Sequence, residues 1–156
     1  MIADTDRRGP PGPARPEDAD RVRGRGSADH VSGAIRIVVV DDDARLRKEL
    51  TLLLEDSGYD VVAEAASGGQ GIALARHSRP DVVISDLRMP GDVSGLDLAA
   101  ELQGEVPVII LSAYDDPGLQ ARVREAGATF LVKGCRSGTI FAAVEQAAMS
   151  GASIPA

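Results

Sequence analysis

The chain has 156 residues, enough for one ordinary domain, and 44% of them are hydrophobic. Trp is absent and Tyr59, Tyr114, Phe130 and Phe141 are the only aromatics, so aliphatic side chains must fill the core. The formal charge of -7 speaks against a nucleic-acid binder that neutralises phosphates and against attraction to an anionic membrane.

Residues 1–34 carry six acidic and six basic side chains and are rich in Arg, Asp, Pro and Gly. Such a segment buries too little to offset the entropy of ordering it, so a disordered N-terminal tail is expected. Its Arg-Val-Arg-Gly-Arg-Gly piece at Arg21–Gly26 could touch RNA or an acidic partner, but a solvated leader is the favoured reading. No apolar run approaches a membrane span, and no apolar stretch of the signal-peptide kind stands near Met1. Cys135 is the single cysteine, which excludes an internal disulfide. A cytoplasmic protein follows as the expectation.

From Ile35 the pattern changes. Five short apolar runs appear at Ile35–Val40, Asp60–Ala65, Asp81–Ser85, Val106–Leu111 and Ala128–Val132. Four are nearly continuous in Val, Ile and Leu, the mark of strands covered on both faces. The segments between them have helical spacing. Ala44–Ser57 sets Leu46, Leu50, Leu53 and Leu54 on one face before Gly58. Ser67–Ser78 is a poorer helix with three glycines in its first turn, which predicts a frayed start. Ser94 caps a helix to about Gln103, and Asp116-Pro117 opens the next one. A last helix is predicted from Ser137 to Met149.

Five βα units with right-handed crossovers make a three-layer α/β sandwich over residues 35–150, leaving 151–156 as a short C-terminal tail. In such sheets the chemistry collects beyond the carboxyl ends of the strands. Those ends carry Asp41-Asp42-Asp43, Asp86, Ser112 and Lys133. Clustered carboxylates repel one another unless a cation intervenes, and an all-oxygen site with spare positions suits Mg²⁺. A carboxylate beside such an ion can attack phosphorus, with an ammonium and a hydroxyl to hold phosphoryl oxygens.

Four stretches carry a family resemblance: Val38–Asp43, Val82–Pro90, Ile109–Ala113, and Gly127 to Lys133. With them in order at the strand ends, the chain from Ile35 to Met149 resembles the CheY-like receiver domain of bacterial two-component response regulators. The resemblance implies a (βα)5 flavodoxin-like fold with parallel strand order 2-1-3-4-5. It implies that Asp86 is the phosphoacceptor and that Asp42 and the Arg88 carbonyl are direct Mg²⁺ ligands. Asp41 would act mostly through water, while Asp43 caps the first helix. Ser112 corresponds to the switch hydroxyl, Phe130 to the aromatic that changes rotamer, and Lys133 to the lysine beside the phosphoryl group. Arg88 and Tyr114 fall at two positions that tune phosphoryl lifetime, and their bulk implies slow self-dephosphorylation.

Some features depart from the commonest pattern. The stretch Asp86–Gly95 is one residue longer than in the shortest members, and one residue is missing between Gly127 and Lys133. Gly134 stands where a proline is common, so no cis bond is expected there. The implied partners are a histidine kinase or phosphotransfer protein and a downstream protein meeting the face of helix 4, strand 5 and helix 5. Phe141 could extend that face with Tyr114 and Phe130. Direct nucleic-acid or membrane contact is not expected, and self-catalysed aspartyl phosphorylation does not make this an enzyme in the usual sense. The alternatives are a phosphorylation-independent interaction module and a receiver severed from a DNA-binding transcription factor. A metal-dependent phosphatase would carry its acceptor in an Asp-x-Asp after strand one, whereas the acceptor position here lies on strand three. His77, Cys135 and the Gly68–Gly71 run are read as bystanders.

Overall fold

The computed structural model describes residues 33–153. The segment expected to be a disordered tail lies almost wholly outside them. Strands β1 (Arg36–Val40), β2 (Asp60–Ala65), β3 (Val82–Asp86), β4 (Val108–Ser112) and β5 (Thr129–Val132) alternate with five helices. These are α1 (Ala44–Asp56), α2 (Gly68–Ser78), α3 (Gly95–Leu102), α4 (Pro117–Glu125) and α5 (Ser137–Ser153). All strand pairings are parallel and the order is β2-β1-β3-β4-β5, as the resemblance implied. The last helix continues past Met149 to Ser153, into the stretch expected to be tail.

The period of two along each strand divides the core. Val38, Val40, Val83, Val108 and Ile110 face one side, with Ala75, Leu98, Leu102 and Val123 of α2, α3 and α4. Ile37, Val39, Val82, Ile84, Ile109 and Leu111 face the other, with Leu54 of α1 and Ile140, Val144 and Ala147 of α5. Each such buried Val, Leu or Ile side chain contributes about 1.5–3 kcal/mol relative to exposure. No apolar face of the central strands is left over, which is why their sequences lack alternation.

Local chemistry sets the joints. Asp43 caps α1 by accepting from the N–H groups of Arg45 and Leu46. Ser94 and Asp97 form a reciprocal capping box at α3, and Asp116 with Pro117 opens α4. Gly68 and Gly71 of α2 are packing positions and not fraying, whereas a side chain on Gly69 would meet nothing within 4 Å. A side chain on Gly68 would collide with the Val93 carbonyl, and one on Gly71 would meet Val40 and Leu98 at 2.8 and 2.9 Å. They are small so that α2 can lie close to β1 and α3. Arg36, within the first apolar run, is buried and donates through Nη1 to the carbonyls of Ser78 and Arg79. Its charge meets the negative end of α2.

Candidate functional site

Strand order reverses between β1 and β3, each pairing outward to a different neighbour. The crevice beyond their carboxyl ends is therefore open to side chains from both. Asp41 ends β1 and is buried; its N–H donates to the Ala65 carbonyl at 3.0 Å, and its Oδ1 accepts from the Asp43 N–H at 2.9 Å. Asp42, next along, is exposed, and Asp86 at the end of β3 is half-buried. One carboxylate oxygen from each of the three lies within 4.8 Å of the others. Asp43 spends its side chain on the α1 cap, as expected.

Lys133 enters from the end of β5. Its ammonium stands 3.1 Å from Asp86 Oδ1 and 3.5 Å from Asp41 Oδ2. The turn that aims it is closed by the Cys135 N–H donating to the Val132 carbonyl, with Gly134 at φ +91°. Glycine adopts that left-handed position freely, so the turn closes without strain. Burial raises the Asp86 pKa, although the Lys133 hydrogen bond and charge oppose it. Burial alone would lower the Lys133 pKa, but the Asp86 hydrogen bond and the charges of Asp86 and Asp41 outweigh it and raise it. Two carboxylates thus share one ammonium.

Ser112 is buried at the end of β4, with its hydroxyl turned to the following loop. Oγ accepts from the Tyr114 N–H and donates to the Tyr114 carbonyl, both at 3.0 Å. The structure therefore does not bring this hydroxyl onto the carboxylates. Above the loop, the Arg88 guanidinium stacks on the Tyr114 ring at 5.1 Å. The two residues that the sequence singled out for phosphoryl lifetime are in contact.

Phe130 packs toward the α2–α3–α4 layer and lines a groove of about 570 Å³ with Gln120, Arg124, Leu131, Cys135 and Thr139. Phe141 belongs elsewhere, against the expectation that it joins Phe130 and Tyr114. It packs in the α1–α5 layer, its ring 5.7 Å from Tyr59. Helical spacing carries it round to β2's end of the domain, one position off the Ile140–Val144 stripe. His77 is exposed in the last turn of α2.

Two contributors escaped the sequence reading. Gly95 opens α3 hard against β3, where any side chain would collide with the Asp86 carbonyl and come within 2.9 Å of Leu87 Cα. Glycine at the first helical position, where a better helix former is free to stand, is the signal that marks it. Arg47 donates to the Asp41 carbonyl at 2.7 Å and to Glu64 Oε1 at 3.1 Å. No local pattern announces that pair, because Glu64 comes from another element.

A parallel α/β sheet of this order, with an acidic cluster and a lysine at its switch point, defines a receiver. Residues 37–145 match the response regulator receiver domain model, and the chain belongs to that family. It is 35% identical over 115 residues to the transcriptional regulatory protein PdtaR of Mycobacterium tuberculosis, covering 72% of this chain and 56% of that one. It is 41% identical over 83 residues to the DNA-binding response regulator MtrA of Mycobacterium leprae, covering 52% and 36%. The chain spans little more than half the length of the first of these relatives. The signal receiver domain of NarL from M. tuberculosis superposes with a TM-score of 0.70 at 31% identity, covering 74% of this chain and 97% of that one. A LuxR-family two-component response regulator from Aurantimonas superposes equally well, TM-score 0.70 at 29% identity, covering 76% and 87%.

Proposed function

We propose that the protein is a phosphoacceptor receiver in which Asp86 takes a phosphoryl group from a histidine kinase or phosphotransfer protein. The observation that carries this is the Lys133 ammonium 3.1 Å from Asp86 Oδ1, beside a cluster of three carboxylates. The freed Asp86 oxygen attacks phosphorus, an O–P bond forms, and the P–N bond of the donor's phosphohistidine breaks with its electron pair leaving on the imidazole. Burial strips water from the Asp86 carboxylate and raises its pKa, while the Lys133 hydrogen bond and charge oppose that rise and favour the ionised form that attacks. Lys133 is poised to hold a phosphoryl oxygen as a point charge.

The donor set is all carboxylate and carbonyl oxygen, which fits Mg²⁺. Asp42, Asp86 and the Arg88 carbonyl would hold it, with Asp41 acting through water. Bound there, the ion supplies positive charge opposite the phosphoryl oxygens.

Ser112 must surrender its two bonds to the Tyr114 backbone to reach a phosphoryl oxygen. Those bonds hold the β4–α4 loop, so phosphorylation and loop position are linked through one hydroxyl. Phe130 would follow, altering the face of α4, β5 and α5 that a downstream protein meets. The cytoplasm is the expected location.

Incubation with a small-molecule phosphodonor and Mg²⁺, followed by intact-mass measurement, tests the reading. A single phosphate-sized adduct on the wild type, absent from Asp86→Asn, is expected. An unmodified wild type would overturn it. A second reading, a receiver working as the input half of a transcription regulator, draws on the partial coverage of PdtaR and MtrA. It predicts that output follows only when a DNA-binding partner domain is supplied.

A further inference from the structure

Behind the acidic loop, on the side away from Lys133, lies a charged pair that none of the roles above uses. Arg47 sits in the first turn of α1, its N–H bonded to the Asp43 carbonyl. Its side chain folds back toward the loop. Nη1 donates to the Asp41 carbonyl at 2.7 Å while Nε donates to Glu64 Oε1 on β2 at 3.1 Å. The two side chains are only 19% and 32% exposed. One guanidinium therefore ties three segments together: the start of α1, the end of β1 and strand β2.

The Asp41 carbonyl needs such a donor. The β1–β2 ladder closes with the Asp41 N–H on the Ala65 carbonyl, and the chain then leaves the sheet. A carbonyl at that point has lost its strand neighbour and is not yet in a helix. Filling the vacancy with an arginine fixes the peptide between Asp41 and Asp42, and so the directions in which both carboxylates leave the backbone. A guanidinium so close to a cation site would ordinarily weaken it. Glu64 balances that charge, so the pair supplies a fixed hydrogen bond with no net charge.

We infer that Arg47 is a positioning residue for the acidic pair Asp41–Asp42 and that Glu64 is its charge balance. The inference rests on the reading that Asp41, Asp42 and Asp86 together hold a divalent cation. A pair that served stability alone would leave cation affinity untouched, and this is the point on which the two accounts part.

Titration of the full chain with Mn²⁺, following free Mn²⁺ by electron paramagnetic resonance, separates them. Arg47→Met combined with Glu64→Gln leaves the net charge at its wild-type value and removes only the anchor. Its Mn²⁺ affinity is expected to fall roughly tenfold, as for other supports of metal ligands. Glu64→Gln alone is expected to weaken binding several-fold, roughly, because Arg47 is left uncompensated. Thermal melts in chelator identify any variant that is not folded. Should the double variant fail to fold, Arg47→Lys keeps the charge but cannot bridge both acceptors, and a clear loss of Mn²⁺ affinity is expected there too. Affinity within about twofold of wild type in the folded double variant, or in Arg47→Lys if that is the one that folds, would overturn the role of Arg47 alone. A wild type that binds no Mn²⁺, or binds it equally after Asp42→Asn, would overturn the site reading and this inference with it.

Discussion

The Lys133 ammonium stands 3.1 Å from the Asp86 carboxylate, and it is the only cation within ion-pair distance of that carboxylate among the described residues. Asp41 competes for the same charge at 3.5 Å. With side chains 27% and 13% exposed, Lys133 and Asp86 form a largely desolvated pair. Replacing Lys133 by Met should therefore destabilise the metal-free protein by about 1–3 kcal/mol, less than the loss of a fully buried partner. Urea denaturation in chelator measures the loss, and Mg²⁺ should recover part of it by replacing the missing charge. Equal stability of the variant and wild type in chelator would show that the pair does not hold these carboxylates.

Gly95 and Gly118 both lie in the first turn of a helix but carry opposite predictions. A Cβ on Gly95 would collide with the Asp86 carbonyl and crowd Leu87 Cα. Gly95→Ala must push α3 away from β3, at a cost of about 1–3 kcal/mol, with lower phosphoryl uptake as Asp86 shifts. On Gly118 the same Cβ meets nothing nearer than Asp116 Oδ1 at 3.6 Å. Gly118→Ala should stabilise α4 by about 0.5–1 kcal/mol. Thermal melts of the two variants should move in opposite directions, and parallel shifts would refute the packing assigned to Gly95.

What the sequence could and could not reveal follows from the range of each interaction. Asp43, Ser94 and Asp116 were legible as caps because a cap acts within three residues. The acidic cluster was legible because buried parallel strands end abruptly where polar residues begin. Arg47 was not, since its meaning depends on Glu64, 17 residues away on the neighbouring strand. Phe141 was misplaced because each position on a helix is a rotation of about 100°. Two positions, from Thr139 to Phe141, separate the groove beside Phe130 from the α1–α5 layer. Gly68 and Gly71 of α2 read as weakness until Val93, Val40 and Leu98 supplied the neighbours they accommodate.

Arg88 and Tyr114 bear on how long a phosphoryl group would survive on Asp86. Their stack at 5.1 Å joins the loop after β3 to the loop after β4, beside the acceptor. Tyr114 is 56% exposed, so the pair is a surface cover and not part of the core. Tyr114→Ala should leave stability nearly unchanged while opening a path for in-line water. Decay of the phosphorylated protein, followed by intact mass, should then accelerate roughly tenfold, equivalent to about 1.4 kcal/mol of barrier. Unchanged decay in Tyr114→Ala and in Arg88→Asn would remove lifetime control from this pair.

Tyr59 offers a pH test remote from the acidic cluster. Its hydroxyl donates to Glu145 Oε2 at 2.8 Å, joining the turn before β2 to α5. Burial, then the hydrogen bond to Glu145 and its negative charge, push the Tyr59 pKa up from 10.0 to about 12. The folded protein thus holds this proton more tightly than the unfolded chain. The stabilisation is complete below pH 10 and is lost as pH rises toward 12. Lys133, whose pKa is also raised, loses its proton in alkali as well, so the wild-type curve alone is ambiguous. The difference between wild type and Tyr59→Phe isolates the tyrosine: it should be largest below pH 10 and shrink through the window to pH 12. In Tyr114→Phe the remaining phenolate absorbance belongs to Tyr59 alone, since the chain has two tyrosines. Its midpoint near 12 would establish the bond to Glu145 in solution, and a midpoint at the ordinary 10.0 would show that α5 does not hold Tyr59 there.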